Sequence, residues 1–345
     1  MGIAIELLLF ALFAFGIYAK EKQFIIPYKG KEAISFALFL GNKRVPIEQK
    51  VNILQQYCYI TENDVKKIDE PLKSNFRLPL KVGNDIHNGF ELPLVIYFTN
   101  DTEDNFNIPF VFYTFKEEDF DEIINYNEYS FGFGYEYYNQ SYSFVHQLKS
   151  LDLVDYLAFT IEPDESNSSG ALIIGKYQNI QKHKATCKVI KNAIMWSCVL
   201  NSVIIGNFET NKPTVAYFNT NTPYINVPED FFLMLIDGFF DIHHNMKCFS
   251  HKYLNDQGRY IACQKDFILS HKNLTMKFVL EGNFFELTTE EMFRCDGSGL
   301  CYSIVRHKSD DSNTWVLGGL FILRFDTTFD YEKKKLCSIQ IRNLG

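Results

Sequence analysis

Short runs of alternating apolar and polar residues fill most of this chain, and the period of two predicts strands. Ile34 to Leu40 and Val51 to Leu54 read as strands, with Gly41-Asn42 starting the turn region between them. Between residues 72 and 118 the pattern continues, most clearly at Leu92 to Phe98 and Phe110 to Phe115. The period then changes. Phe144, Leu148 and Leu151 lie near helical spacing and predict a short helix. Tyr156 to Ile161 and Ala171 to Ile174 form a strand pair around the turn-rich Pro163–Gly170. The second half repeats this grammar. Ile194 to Ile205 and Thr214 to Phe218 read as strands, and Glu229 to Phe240 as a helix opening after Pro228. Tyr260 to Ala262, Met276 to Leu280 and Phe284 to Leu287 return to strand. Two halves of like grammar imply two lobes that divide near residues 180–190.

Composition agrees with a sheet-rich fold: among 345 residues there are 33 Phe and 20 Tyr, both strand-favouring types. The net charge of -8 gives a surface that repels a phosphate backbone, and no basic helix suggests a nucleic-acid partner. The apolar run Leu7 to Ile17, ending near Ala19, has the length of a signal-peptide core and is too short to span a bilayer comfortably. Cleavage after Ala19 yields an exported chain, whereas an uncleaved segment would associate the chain with a membrane. Eight cysteines and four acceptor sequons, at Asn100, Asn139, Asn167 and Asn273, fit export with disulfides and glycosylation. The chain thus divides into a signal segment at 1–19, a first β lobe at 20–185 and a second at 186–345.

Several segments of the second half resemble the pepsin-like aspartic protease family. Trp315-Val-Leu-Gly-Gly-Leu-Phe321 and Leu323 to Asp330 look like the family's closing segment. Trp196 to Gly206 looks like the strand pair entering the second lobe. Val215-Ala-Tyr-Phe-Asn-Thr-Asn-Thr-Pro223 lies where the family carries Ala-x-x-Asp-Thr-Gly-Thr-Ser. The first half is similar through Tyr129-Ser-Phe-Gly-Phe-Gly134, Gly170 to Gly175, Phe36 to Gly41 and Val51 to Leu54. The resemblance implies an all-β, bilobal fold with a cleft between the lobes. It implies that Gly132–Gly134 and Gly318–Gly319 each lie under a lobe's central loop. It also nominates a Cys263–Cys295 disulfide around a hairpin region.

The family's reaction needs two neighbouring carboxylates that share a proton, one activating water and one protonating the carbonyl. Here the second-lobe triplet is Asn219-Thr220-Asn221, and the first-lobe pattern aligns Leu54-Gln55-Gln56. Sliding that register brings in no carboxylate, because no acidic residue lies from Val51 to Thr61. An amide neither takes nor gives a proton at ordinary pH. The family's substrate-covering flap is not recognisable, and Tyr57 and Tyr59 read as packing residues.

Other chemistry has less support. There is no Gly-x-Ser-x-Gly elbow. Cys58 is open to a disulfide, an inert thiol or a nucleophile. Asp241, His243, His244, Cys248 and His251 cluster without zinc spacing and read as loop residues rather than a metal site. No cofactor is implied. The resemblance therefore implies a catalytically inactive aspartic protease homologue, secreted, holding a peptide, protein or glycan between its lobes. Two other readings stay open: an aspartic-type endopeptidase or other hydrolase with displaced catalytic residues, and a structural or interaction protein that does not use the cleft.

Overall fold

A computed structural model describes residues 22–30, 34–54, 58–60, 62–68, 77–82, 85–97, 108–114, 130–135, 143–164, 169–175, 185–191, 193, 195–240, 247–252, 258–308, 314–333 and 335–341. Residues 1–19 lie outside this set, as do Gln55, Gln56, Tyr57, Asn100, Asn139, Asn167, Asp241, His243 and His244. Among the described helices none is long and apolar enough to cross a membrane.

The described strands form two sheets, one for each lobe of a mainly β, bilobal fold. The first sheet runs through Ala158–Pro163, Ser169–Ile174, Phe24–Lys29, Ser35–Leu40, Val45–Asn52 and Ser130–Gly132. The second is built on Ser197–Ile205, Thr214–Asn219, Trp315–Gly318, Leu300–Lys308 and Thr275–Leu280. Nearly every predicted strand is present, and Phe144–Ser150 is the predicted helix, capped by Ser143. The helix at Glu229–Met234 continues as a π-helical turn, Leu235–Phe239.

The sheets do not follow a division of the chain at residues 185 and 186. Thr186–Lys188, Phe325–Asp330 and Lys335–Ile341 all belong to the first sheet. The C-terminal end of the chain therefore returns to the first lobe and ties the two together. Phe325–Asp330 is buried throughout because it pairs with Ala158–Pro163 on one side and Lys335–Ile341 on the other. Trp196 locks this junction. It is wholly buried, its indole N–H donates to the Phe133 carbonyl at 3.0 Å, and its ring contacts Tyr135, Phe329 and Tyr331.

The nominated Cys263–Cys295 disulfide is corrected. The bonds are Cys248–Cys263 and Cys295–Cys301. Sheet register is the reason. Cys248 is the cross-strand partner of Cys263, Cys263 of Cys301, and Cys301 of Cys295, so four cysteines lie in a row across adjacent strands. Each bonds an immediate neighbour, and Cys263 and Cys295 have Cys301 between them. Cys248 is thereby withdrawn from any metal-binding role, and no cluster of metal-binding side chains occurs among the described residues.

Candidate functional site at the lobe junction

Each lobe places one asparagine at the end of a central strand. Val45–Asn52 runs parallel to Ser130–Gly132, with Asn52 opposite Gly132. Thr214–Asn219 runs parallel to Trp315–Gly318, with Asn219 opposite Gly318. The glycine repeats thus lie beside the two central loops, as the sequence implied. The residues just before the asparagines match as well: Val51 N donates to the Ile34 carbonyl at 2.8 Å, and Phe218 N to the Trp196 carbonyl at 2.9 Å. Each asparagine then caps its own turn. Leu54 N donates to Asn52 Oδ1 at 3.0 Å, and Asn221 N to Asn219 Oδ1 at 2.8 Å. Such local side-chain caps are a standard role of asparagine in tight turns.

The two loops meet through Thr220. Its buried hydroxyl donates to the Val51 carbonyl at 2.5 Å and accepts from Ile53 N at 3.2 Å. One side chain therefore holds the loop of the other lobe by its backbone. These contacts fix the correspondence: Asn52-Ile53-Leu54 is the first-lobe counterpart of Asn219-Thr220-Asn221.

This moves the first-lobe register two residues upstream of Leu54-Gln55-Gln56. Leu54 occupies the third position of the triplet rather than the first, and Gln55 and Gln56 lie outside the described residues. The strand begins at Val45 and ends at Asn52 instead of starting at Val51. Asn52 was hidden in the sequence because it sits inside the apolar run Val51-Asn-Ile-Leu54 and lacks a following glycine. The alternation Val45-Pro-Ile-Glu-Gln-Lys-Val51, with Ile47 and Val51 buried, is the signal that would have extended the strand.

The surroundings are built to hold this geometry. A Cβ added to Gly318 would lie 2.2 Å from the Tyr224 carbonyl and 2.6 Å from the Thr222 carbonyl. Only glycine fits beneath the second loop. Gly319 N donates to the Thr222 carbonyl at 2.7 Å, closing the loop from below. Asn52 and Thr220 are buried, Asn219 is half-buried and Asn221 is exposed. Cys58 is a buried free thiol accepting from Gly132 N at 3.3 Å, and burial raises its pKa far above the ordinary thiol value. It is an inert packing group rather than a nucleophile or half of a disulfide. Tyr59 is buried, as a packing residue should be.

The sequence offered no flap, yet Arg77–Val82 and Asp85–Tyr97 form a hairpin in the interval following the first triplet. In sequence the two residues between these strands are Gly83-Asn84, a pair that signals a hairpin.

A two-lobed β fold whose central loops meet through a threonine hydroxyl defines the class of the pepsin-like aspartic proteases. The sequence profile described as "Asp: Eukaryotic aspartyl protease" matches residues 117–340, well over half of the chain, and the chain belongs to that family. The matched span includes the second triplet and begins after the first. A solved structure, the crystal structure of aspartic proteinase from Irpex lacteus, is similar with a TM-score of 0.67 at 12% identity, covering 93% of this chain and 99% of that one. At that identity the likeness concerns the fold alone. A search of curated proteins found no match.

Proposed function

We propose that this chain is a non-proteolytic member of its family, exported from the cell, which binds a peptide or protein segment between its lobes. The observation that carries this reading is the pair Asn52 and Asn219 at corresponding strand ends. Acid–base catalysis at such a pair requires one ionised and one protonated carboxyl at once. An amide supplies neither. Its oxygen accepts hydrogen bonds and its nitrogen donates them at every working pH. Each Oδ1 already accepts a backbone N–H of its own loop, so both amides serve to hold the turns. The preserved Thr220 contact and the exclusion of all but glycine at position 318 support a site kept for binding, since they maintain the loop geometry without its chemistry.

Export is supported by the Leu7–Ile17 segment, by two disulfides and by Asn273, which is exposed in a turn. N-glycosidase treatment should lower the apparent mass of native protein.

The test of function is purified protein incubated with a mixed peptide library from about pH 2 to 7, the range in which such dyads work. Mass spectrometry should find no new products, while the immobilised protein retains a defined subset of peptides. Selective cleavage blocked by a hydroxyl-bearing peptide mimic would overturn the reading. Neither cleavage nor retention would favour an interaction protein that does not use the cleft.

A further inference from the structure

We propose that Cys187 and Cys198 are joined in a third disulfide, which stitches the first-lobe sheet to the second. Both residues are buried, and they stand unbonded with the Cys187 thiol in hydrogen-bonding contact with the Cys198 thiol. The Cys187 thiol also donates to the Leu280 carbonyl at 3.8 Å.

The backbone around the pair is pinned on both sides. Ile190 N donates to the Ser197 carbonyl at 3.2 Å. Lys188 N donates to Glu281 Oε2 at 2.9 Å, and Asn283 Nδ2 to the Thr186 carbonyl at 3.1 Å. The two strands are therefore already held together. Forming the bond asks that the two neighbouring sulfurs close to about 2 Å.

The placement gives the bond its consequence. Thr186–Lys188 pairs with Lys335–Ile341 in the first sheet, whereas Ser197–Ile205 belongs to the second. Both bonds already present, Cys248–Cys263 and Cys295–Cys301, lie within the second sheet. A Cys187–Cys198 bond is different in kind. It ties the crossing strand to the other lobe beside Trp196 and restrains rocking of one lobe on the other.

The chemistry is a two-electron oxidation by thiol–disulfide exchange. The thiols of Cys187 and Cys198 lose two protons and two electrons, one Sγ–Sγ bond forms, and the disulfide of a dithiol oxidoreductase is reduced to two thiols. The hydrogen bond with the Cys187 thiol, burial and the Glu281 carboxylate all disfavour a thiolate at Cys198. Exchange therefore occurs while the segment is still open, before the fold closes over it.

Disulfide mapping tests this directly on the natural sequence. Protein recovered from the medium of secreting cells is unfolded in an alkylating reagent without reductant. It is then digested with trypsin, which cuts between the two cysteines after Lys191, and read by mass spectrometry. The expected result is a linked Cys187–Cys198 peptide pair with both residues unalkylated, while Cys58 is alkylated in the same sample. Alkylation of both Cys187 and Cys198, or a bond from either one to Cys337 or Cys58, would overturn the proposal.

Discussion

The two central loops share a plan but not a chemistry. In the second lobe, Asn219-Thr220-Asn221 retains the hydroxyl that reaches across the junction, and Asn221 replaces glycine with a residue suited to turns. In the first, Asn52-Ile53-Leu54 retains only the asparagine cap. Ile53 is fully buried and has no hydroxyl to return the contact made by Thr220. The junction is held from one side. The lesson is that one threonine and well-placed backbone bonds hold this loop geometry with an asparagine at the end of each central strand.

The asymmetry can be broken first at Gly318. Gly318→Ala drives a methyl into the Tyr224 and Thr222 carbonyls, which are backbone and cannot rotate away. Chemical denaturation should show a loss of about 3 kcal/mol or more. Thr220→Val should come next. It keeps the shape but strands the Val51 carbonyl and Ile53 N–H in a buried site, costing about 1–3 kcal/mol. Ile53→Thr, the converse change, should cost less than Thr220→Val in the same assay, because it offers the second lobe a hydroxyl that the first now lacks. Equal costs would show that the grip is not one-sided.

The smallest effect is one of pH. His146 lies buried against Tyr331, and desolvation lowers its pKa to about 4. The unfolded chain takes up a proton near 6.5 and the folded chain near 4, so stability is complete above about 6.5 and falls as pH drops towards 4. Melting temperature should decline by a few degrees across that window, and His146→Phe should flatten the decline.

Much of the fold is legible in the sequence because strand alternation and the Trp315–Gly319 segment are local signals. What eluded it is set by contacts distant along the chain. Asn52 is a polar residue in an apolar run, and only the hydroxyl of Thr220, 169 positions from the carbonyl it meets, reveals its register. The disulfides follow from sheet register, which brings Cys248 opposite Cys263 across a short hairpin. Asp296-Gly-Ser-Gly299 between Cys295 and Cys301 is the one local clue, since a tight turn makes those two cross-strand neighbours. The return of Lys335–Ile341 to the first sheet carries no local signature at all.

The central proposal, that Asn52 and Asn219 stand at the two positions of a silenced dyad, is tested most directly by placing carboxylates there. Carboxyl titration by carbon-13 NMR would compare Asn52→Asp, Asn219→Asp and the double variant. Two carboxylates that close cannot both ionise freely, so the double variant should titrate as a coupled pair, with one apparent pKa raised well beyond its value in either single variant. A Leu54→Asp/Asn219→Asp control should show no such coupling. Independent titration in the Asn52→Asp/Asn219→Asp protein, each carboxyl matching its single variant, would contradict the account.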